Sequence, residues 1–185
     1  MHSLLRRCLR LFCPPARRLP RSAILRIFAT LVPSLFASAT PVYALPHADR
    51  IIVHKKEHTL ELMHNGNVLK TYKIALGRKS GAKQQEGDLR TPEGAYIIYR
   101  RNARSSCHRS LHISYPNAVD RKRARRLGVS PGGDISIHGL PNGYGYIGPA
   151  HRQHDWTYGC IAVTDEEIEE IWKLVDNGTP IEILP

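Results

Sequence analysis

From residue 51 to residue 99 the chain alternates short β-branched or polar-apolar runs with turn signals, the pattern of strands joined by tight connections. Ile51-Ile52-Val53 opens a strand. Thr59-Leu60-Glu61-Leu62-Met63 alternates polar and apolar residues, the period of a strand with one buried face. His64-Asn65-Gly66-Asn67 comes next, and Asn-Gly accepts the positive φ angles of a tight hairpin. Val68 to Leu76 reads as the return strand. A polar, Gly- and Lys-rich loop from Gly77 to Gly87 and a turn at Thr91-Pro92-Glu93-Gly94 lead into Ala95-Tyr96-Ile97-Ile98-Tyr99, again a strand.

Beyond residue 100 the elements are mixed. Leu111 to Tyr115 predicts a strand closed by Pro116-Asn117, Asp120 to Leu127 one or two helical turns ended by Gly128, and Asp134 to His138 a buried strand. Leu140 to Asp155 holds Pro141, Gly143, Gly145, Gly148 and Pro149 and predicts a long loop. Thr164 and Glu167 form a capping box for a helix to about Val175, with Ile168, Ile171, Trp172 and Val175 facing inward. Ile181-Glu182-Ile183 closes the chain as a strand. The expected fold class is mostly β, a β-rich α+β domain over residues 45–185, with no repeat and no second domain.

Residues 1–44 read as a signal peptide or N-terminal anchor. They carry seven arginines and no acidic residue, then an apolar run from Ile27 to Ala39 interrupted by Pro33, then Val42-Tyr43-Ala44, which fits the small-x-small cleavage rule. Setting those arginines aside leaves 20 basic against 16 acidic groups, a net of about +4 rather than the formal +11. That mild excess excludes a nucleic-acid footprint. The dense run Arg121-Lys122-Arg123-Ala124-Arg125-Arg126 reads as a solvated helix face or as attraction to an anionic polymer.

Two cysteines, Cys107 and Cys160, remain in the exported part. They allow either one structural disulfide or a free nucleophile. Cys160 follows Gly159, and His138 ends a strand 22 positions earlier. A thiol needs a base or a cation beside it to ionise near neutral pH, which a histidine supplies. A glycine before the cysteine lets the backbone turn sharply and brings N–H groups close to a developing oxyanion. Cys160 and His138 are therefore the candidate catalytic pair. Gly159, Tyr158 and the Cys160 N–H are candidate oxyanion donors. The Gly139 carbonyl, Asp134 or Asp155 would orient the imidazole.

These residues carry a resemblance. His138-Gly139, a Gly-rich loop and Thr157-Tyr158-Gly159-Cys160-Ile161 resemble the signature of L,D-transpeptidase (YkuD-type) catalytic domains, as do Ile74-Ala75-Leu76-Gly77 and Gly87 to Tyr96. Leu111 to Asn117 and Gly132 to Gly143 resemble the YafK-type branch, so the likeness spans about residues 48–185. The resemblance implies a cysteine transpeptidase of the bacterial envelope acting on peptidoglycan stem peptides, through a Cys160 thioester and with His138 as general base. Its acceptor would be an amine, or water in relatives that hydrolyse, and some relatives release a wall-linked lipoprotein. It implies no metal or organic cofactor and leaves oligomeric state open. Many members carry an arginine two positions after the cysteine, and here that residue is Ala162. His112, Arg152 and Trp156 are candidate substrate-binding residues, with Arg100 an alternative to Arg152.

Two rivals stand beside this. A zinc peptidase could draw ligands from His108-x-x-x-His112 and His151-x-x-His154, although no His-Glu-x-x-His pattern is present. A non-catalytic wall-binding domain could pair Cys107 with Cys160.

Overall fold

The structure, a computed structural model, describes residues 46–185; the expected presequence lies outside them. The strands are β1 (Arg50–His54), β2 (Thr59–His64), β3 (Asn67–Lys73), β4 (Gly94–Asn102), β5 (Ser110–Ile113), β6 (Ser136–His138), β7 (Ile161–Ala162) and β8 (Pro180–Leu184). They form one eight-stranded sheet in the order β3-β2-β1-β8-β4-β5-β6-β7. β1 pairs in parallel with β8 and β6 with β7, while the other neighbours are antiparallel.

The sheet curls until its ends approach. Ala75, just past β3, donates to and accepts from Ala162 of β7 at 2.9 and 2.8 Å. For that reason β3 stops at Lys73 instead of running to Leu76, as the apolar run predicts. Ile74 to Leu76 leave one edge of the sheet to pair with the other.

The strand period and turn chemistry act as expected at the hairpin. Asn65 and Gly66 adopt φ of 50° and 77°, the left-handed pair that suits the right-handed twist of the strands. Leu60 and Leu62 then share the buried face with Ile51 and Val53. The same core continues through Ile98, Leu111, Ile113, Ile137 and Ile161.

Helix α2 (Asp165–Leu174) closes one side of the core with Ile168, Ile171 and Leu174, all buried. Its Thr164 and Glu167 form the reciprocal cap. Trp172 departs from expectation. It is only partly buried, and its ring lies beneath the guanidinium groups of Arg101 and Arg109 at 4.1 and 4.8 Å.

Helix α1 (Ala118–Leu127) starts before Asp120, because Asn117 is the cap and Asp120 its reciprocal partner. Asp120 is buried, and it also accepts from the Tyr96 hydroxyl and pairs with Arg123. The rest of the basic run on α1 (Arg121, Lys122, Arg125, Arg126) faces solvent. The loop expected after Leu140 contains a 3₁₀ segment, Gly145–Gln153, broken at Gly148 where φ is 50°.

Candidate active site

Register across β4, β5, β6 and β7 decides which side chains meet. Ser110 lies opposite His138 and His112 opposite Ser136, while Ile137 and His138 lie opposite Ile161 and Ala162. Directly opposed residues share a face, and successive residues alternate. Leu111, Ile137 and Ile161 therefore line the core, and Ser110, His112, Ser136 and His138 point the other way. Cys160, one residue before Ile161, joins this second face, where the Ser136 hydroxyl lies 3.8 Å from its sulfur.

His138 is 6 % exposed, and its Nδ1 is 2.6 Å from the Gly139 carbonyl oxygen. A carbonyl can only accept, so Nδ1 carries the proton and Nε2 is left for the thiols. Gly139 can sit there only as glycine. A Cβ would fall 2.6 Å from Asp165 Oδ1 and 3.0 Å from both His108 Cβ and Ile168 Cγ2. Asp165, which accepts from Leu140 N–H at 2.8 Å, thus pins the turn that orients the imidazole.

Electrostatics follow from this crowding. Burial disfavours the His138 imidazolium, but hydrogen bonds to Cys107 and Cys160 outweigh it and raise the pKa. Burial likewise pushes the Cys160 thiol up, yet the hydrogen bond and charge of His138, with help from Ser136, bring it below its ordinary value. The three groups form one coupled system that favours imidazolium and thiolate.

Cys107 was not foreseen at this imidazole. Both cysteines are free thiols, and the His138 hydrogen bond is the main cause lowering the Cys107 pKa. The loop carrying Cys107 is stitched to the segment after His138. Asn142 N–H donates to Ser106 O, and His108 N–H donates to Asn142 Oδ1, each at 2.9 Å. Nothing in the linear spacing of Cys107 signals this.

The turn before Cys160 is braced by Thr157. Its hydroxyl donates to the Cys160 carbonyl at 2.8 Å and accepts from Gly159 N–H at 3.1 Å. Gly159 has φ of 126°, and a Cβ there would lie 2.6 Å from Arg90 O. Since its N–H is already engaged, Gly159 shapes the turn rather than offering a donor. The Tyr158 and Cys160 N–H groups have no acceptor among the described residues. The Tyr158 ring is exposed, with Arg78 5.0 Å above it.

The remaining candidates separate. Trp156 packs edge-on against His138, with ring centres 5.9 Å apart, and its indole N–H reaches His151 Nδ1 at 3.3 Å. Burial, more than the neighbouring Arg152, lowers the His151 pKa to about 4, so His151 stays neutral and can accept. Trp156 also lines an apolar cavity of about 230 Å³ with Leu140, Pro141, Tyr144 and Ile147.

Arg152 turns away to pair with Glu167, the carboxylate that completes the α2 cap. Its charge is spent on the fold. Asp155 instead binds His58 and the Leu76 N–H. Asp134 offers its carbonyl 3.7 Å from the Cys160 sulfur, while its carboxylate lies 3.6 Å from His112. His108 is held by Glu169 at 2.9 Å and His112 by Arg100 at 3.3 Å, so different partners engage the pair read above as possible zinc ligands.

With this geometry in view, comparison with known proteins is specific. Residues 48–183 match the family model for the YkuD L,D-transpeptidase catalytic domain. The chain belongs to that family. YafK of Escherichia coli (strain K12), a candidate L,D-transpeptidase, is 29 % identical over 146 residues, 75 % of this chain and 49 % of that protein. The chain thus spans about half the length of the curated relatives it matches. The crystal structure of the helical cell shape determining protein Pgp2 from Campylobacter jejuni aligns with TM-score 0.56 and 25 % identity, over 76 % of this chain and 49 % of that one. An L,D-transpeptidase from Mycobacterium smegmatis aligns with TM-score 0.50 at 13 % identity, over 75 % and 59 %, a likeness of fold alone. The strand-rich curled sheet is the YkuD fold.

Ala162, at the place where the sequence resemblance implies an arginine in many relatives, is fully buried and hydrogen-bonded to Ala75. The backbone there closes the sheet and presents no cation.

Proposed function

We propose that this protein is an exported cysteine L,D-transpeptidase that acts on peptidoglycan stem peptides through a Cys160 thioester. The observation that carries the reading is the buried His138 ring, tethered through Nδ1 to Gly139 on the face that also bears Cys160, where each group shifts the other toward its charged form.

The Cys160 thiolate attacks the carbonyl between the L-centre of the third residue and the terminal D-residue. The tetrahedral oxyanion accepts from the Cys160 and Tyr158 N–H groups, each such donor contributing about 3 kcal/mol. Collapse breaks the C–N bond, and the His138 imidazolium gives its proton to the departing amine. His138, now neutral, takes a proton from an incoming amine, which attacks the thioester and regenerates the Cys160 thiol. Water entering in place of the amine gives hydrolysis by the same steps, trimming stems or releasing a wall-linked lipoprotein. Export rests on the basic, then apolar, sequence ending at Val42-Tyr43-Ala44.

The test is incubation of the mature protein with purified muropeptides and mass analysis of the products, beside Cys160→Ala. Cross-linked dimers, exchanged D-residues or trimmed stems should form only with the unsubstituted protein. Products that persist in Cys160→Ala, or that vanish with a chelator, would overturn the reading.

A further inference from the structure

The active-site face carries a cation, Arg100, with no role in the scheme above. Strand parity does not predict it. Tyr96 and Ile98 point into the core, so regular alternation would send Arg100 there too. Instead the β4–β5 register shifts between Ile98 and Arg100. Ile98 opposes Ile113, Arg100 opposes His112, and Tyr99 is the extra residue. Such a bulge re-aims the side chains that follow it. Arg100 thereby stands on the same face as His112, Ser136 and Cys160.

We propose that Arg100, seated against His112, is the subsite that binds a carboxylate of the donor stem peptide and so sets donor specificity. The ligand class rests on the transpeptidase reading; the site itself rests on the bulge and its neighbours.

The guanidinium Nη2 lies 3.3 Å from both ring nitrogens of His112, while 55 % of the Arg100 side chain stays exposed. One side of the group is thus held and the other is open to a ligand. His112 is itself fixed by Ser110 at 3.3 Å. Its pKa is lowered by burial first and by Arg100 second, so it supports Arg100 as a neutral ring and adds no repulsive charge.

A counter-ion is present but loosely held. Asp134 Oδ1 is 4.0 Å from Arg100, beyond hydrogen-bonding distance, and its side chain is 84 % exposed. A substrate carboxylate could displace it and engage the fork of N–H donors in a bidentate pair. Because Arg100 leans over His112, its guanidinium is about two inter-strand spacings, roughly 10 Å, from Cys160. A peptide with its scissile carbonyl at the sulfur can place a carboxylate there, either the terminal one of the leaving D-residue or one on the side chain of the third residue. Arg152, the cation read from the sequence as an alternative, is taken by Glu167.

The experiment measures tetrapeptide binding by calorimetry to Cys160→Ala protein, so that it reads recognition without turnover. Three peptides are compared: both carboxyls free, the terminal carboxyl amidated, and the third-residue side-chain carboxyl amidated. One amidation should weaken binding roughly 10- to 100-fold, the usual effect of losing a charge-assisted hydrogen bond, and the arm that does so names the carboxylate. Adding Arg100→Ala should abolish that preference, Arg100→Lys should retain part of it, and Asp134→Asn should strengthen binding of the free acid. A preference that survives Arg100→Ala, or equal binding of all three peptides to the parent protein, overturns the assignment. Failure of muropeptide turnover in the unsubstituted protein, with this binding pattern intact, would count against the transpeptidase chemistry and leave the subsite standing.

Discussion

Gly139→Ala tests the link between fold and chemistry, because one added methyl group strikes the turn that holds the general base. The new Cβ would sit 2.6 Å from Asp165 Oδ1 and 3.0 Å from Ile168 Cγ2 and His108 Cβ. A Cβ essentially never comes within 3.0 Å of another heavy atom, and 3.0 Å contacts on two further sides leave little room, so the Asp165 carboxylate that holds Leu140 N–H, the turn, or both must shift by a few tenths of an ångström. Overpacking of this kind costs about 1–3 kcal/mol. For a domain of this size that is a drop in Tm of roughly 3–12 °C. The movement also shifts the carbonyl that accepts from His138 Nδ1 at 2.6 Å, releasing both tautomer and ring orientation. Misplacement of a catalytic group by about 1 Å can cost on the order of 100-fold in rate. Thermal melting and muropeptide turnover read the two effects separately. Gly133→Ala is the control. It has open space at its Cβ position and an ordinary φ, so it should keep full activity and gain up to about 1 kcal/mol. If Gly139→Ala melts and turns over like its parent, the claimed role of this turn is wrong.

Thr157→Val, nearly isosteric, strands the Gly159 N–H and the Cys160 carbonyl; it should cost about 2–3 kcal/mol in denaturant unfolding and most of the activity. Asp120→Ala leaves the Arg123 guanidinium and the Tyr96 hydroxyl without their buried partner, and urea unfolding should show a loss of about 3 kcal/mol with the Cys160 alkylation profile unchanged. Cys107→Ala removes the competing thiol from His138. The apparent pKa of Cys160 should then move further down, read as faster iodoacetamide labelling at mildly acidic pH, with turnover retained. Turnover should follow a bell in pH. The acidic limb comes from protonating a thiolate whose pKa is lowered, so it lies below the ordinary cysteine value; the alkaline limb comes from deprotonating an imidazolium whose pKa is raised, so it lies above the ordinary histidine value.

What the sequence revealed and what it hid divide along a physical line. Local signals translated directly. Asn65-Gly66 turned the first hairpin, Thr164 and Glu167 capped α2, and the period of two buried Leu60 and Leu62. The α1 cap was equally local, since Asn117 and Asp120 have the same spacing as Thr164 and Glu167, and only the intervening Ala118-Val119 disguised it. Features set by pairing between distant segments were not legible. The bulge at Tyr99 depends on β5 and carries Arg100 to the opposite face from the one alternation gives it. The early end of β3 depends on Ala162. Cys107 meets His138 through loop stitching by Asn142, and Arg152 is drawn off by an acid on the following helix. Ser136, in contrast, was available from parity alone, two residues before His138 on the same strand.

The most direct test of the whole account is the pH dependence of Cys160 alkylation, followed by peptide mapping, in the unsubstituted protein and in His138→Gln. A transition below the usual cysteine value of about 8.5, moving to or above that value once the imidazole is gone, is the predicted result. Identical transitions in the two proteins would mean that the buried ring does not ionise this sulfur, and the catalytic assignment would fall with it.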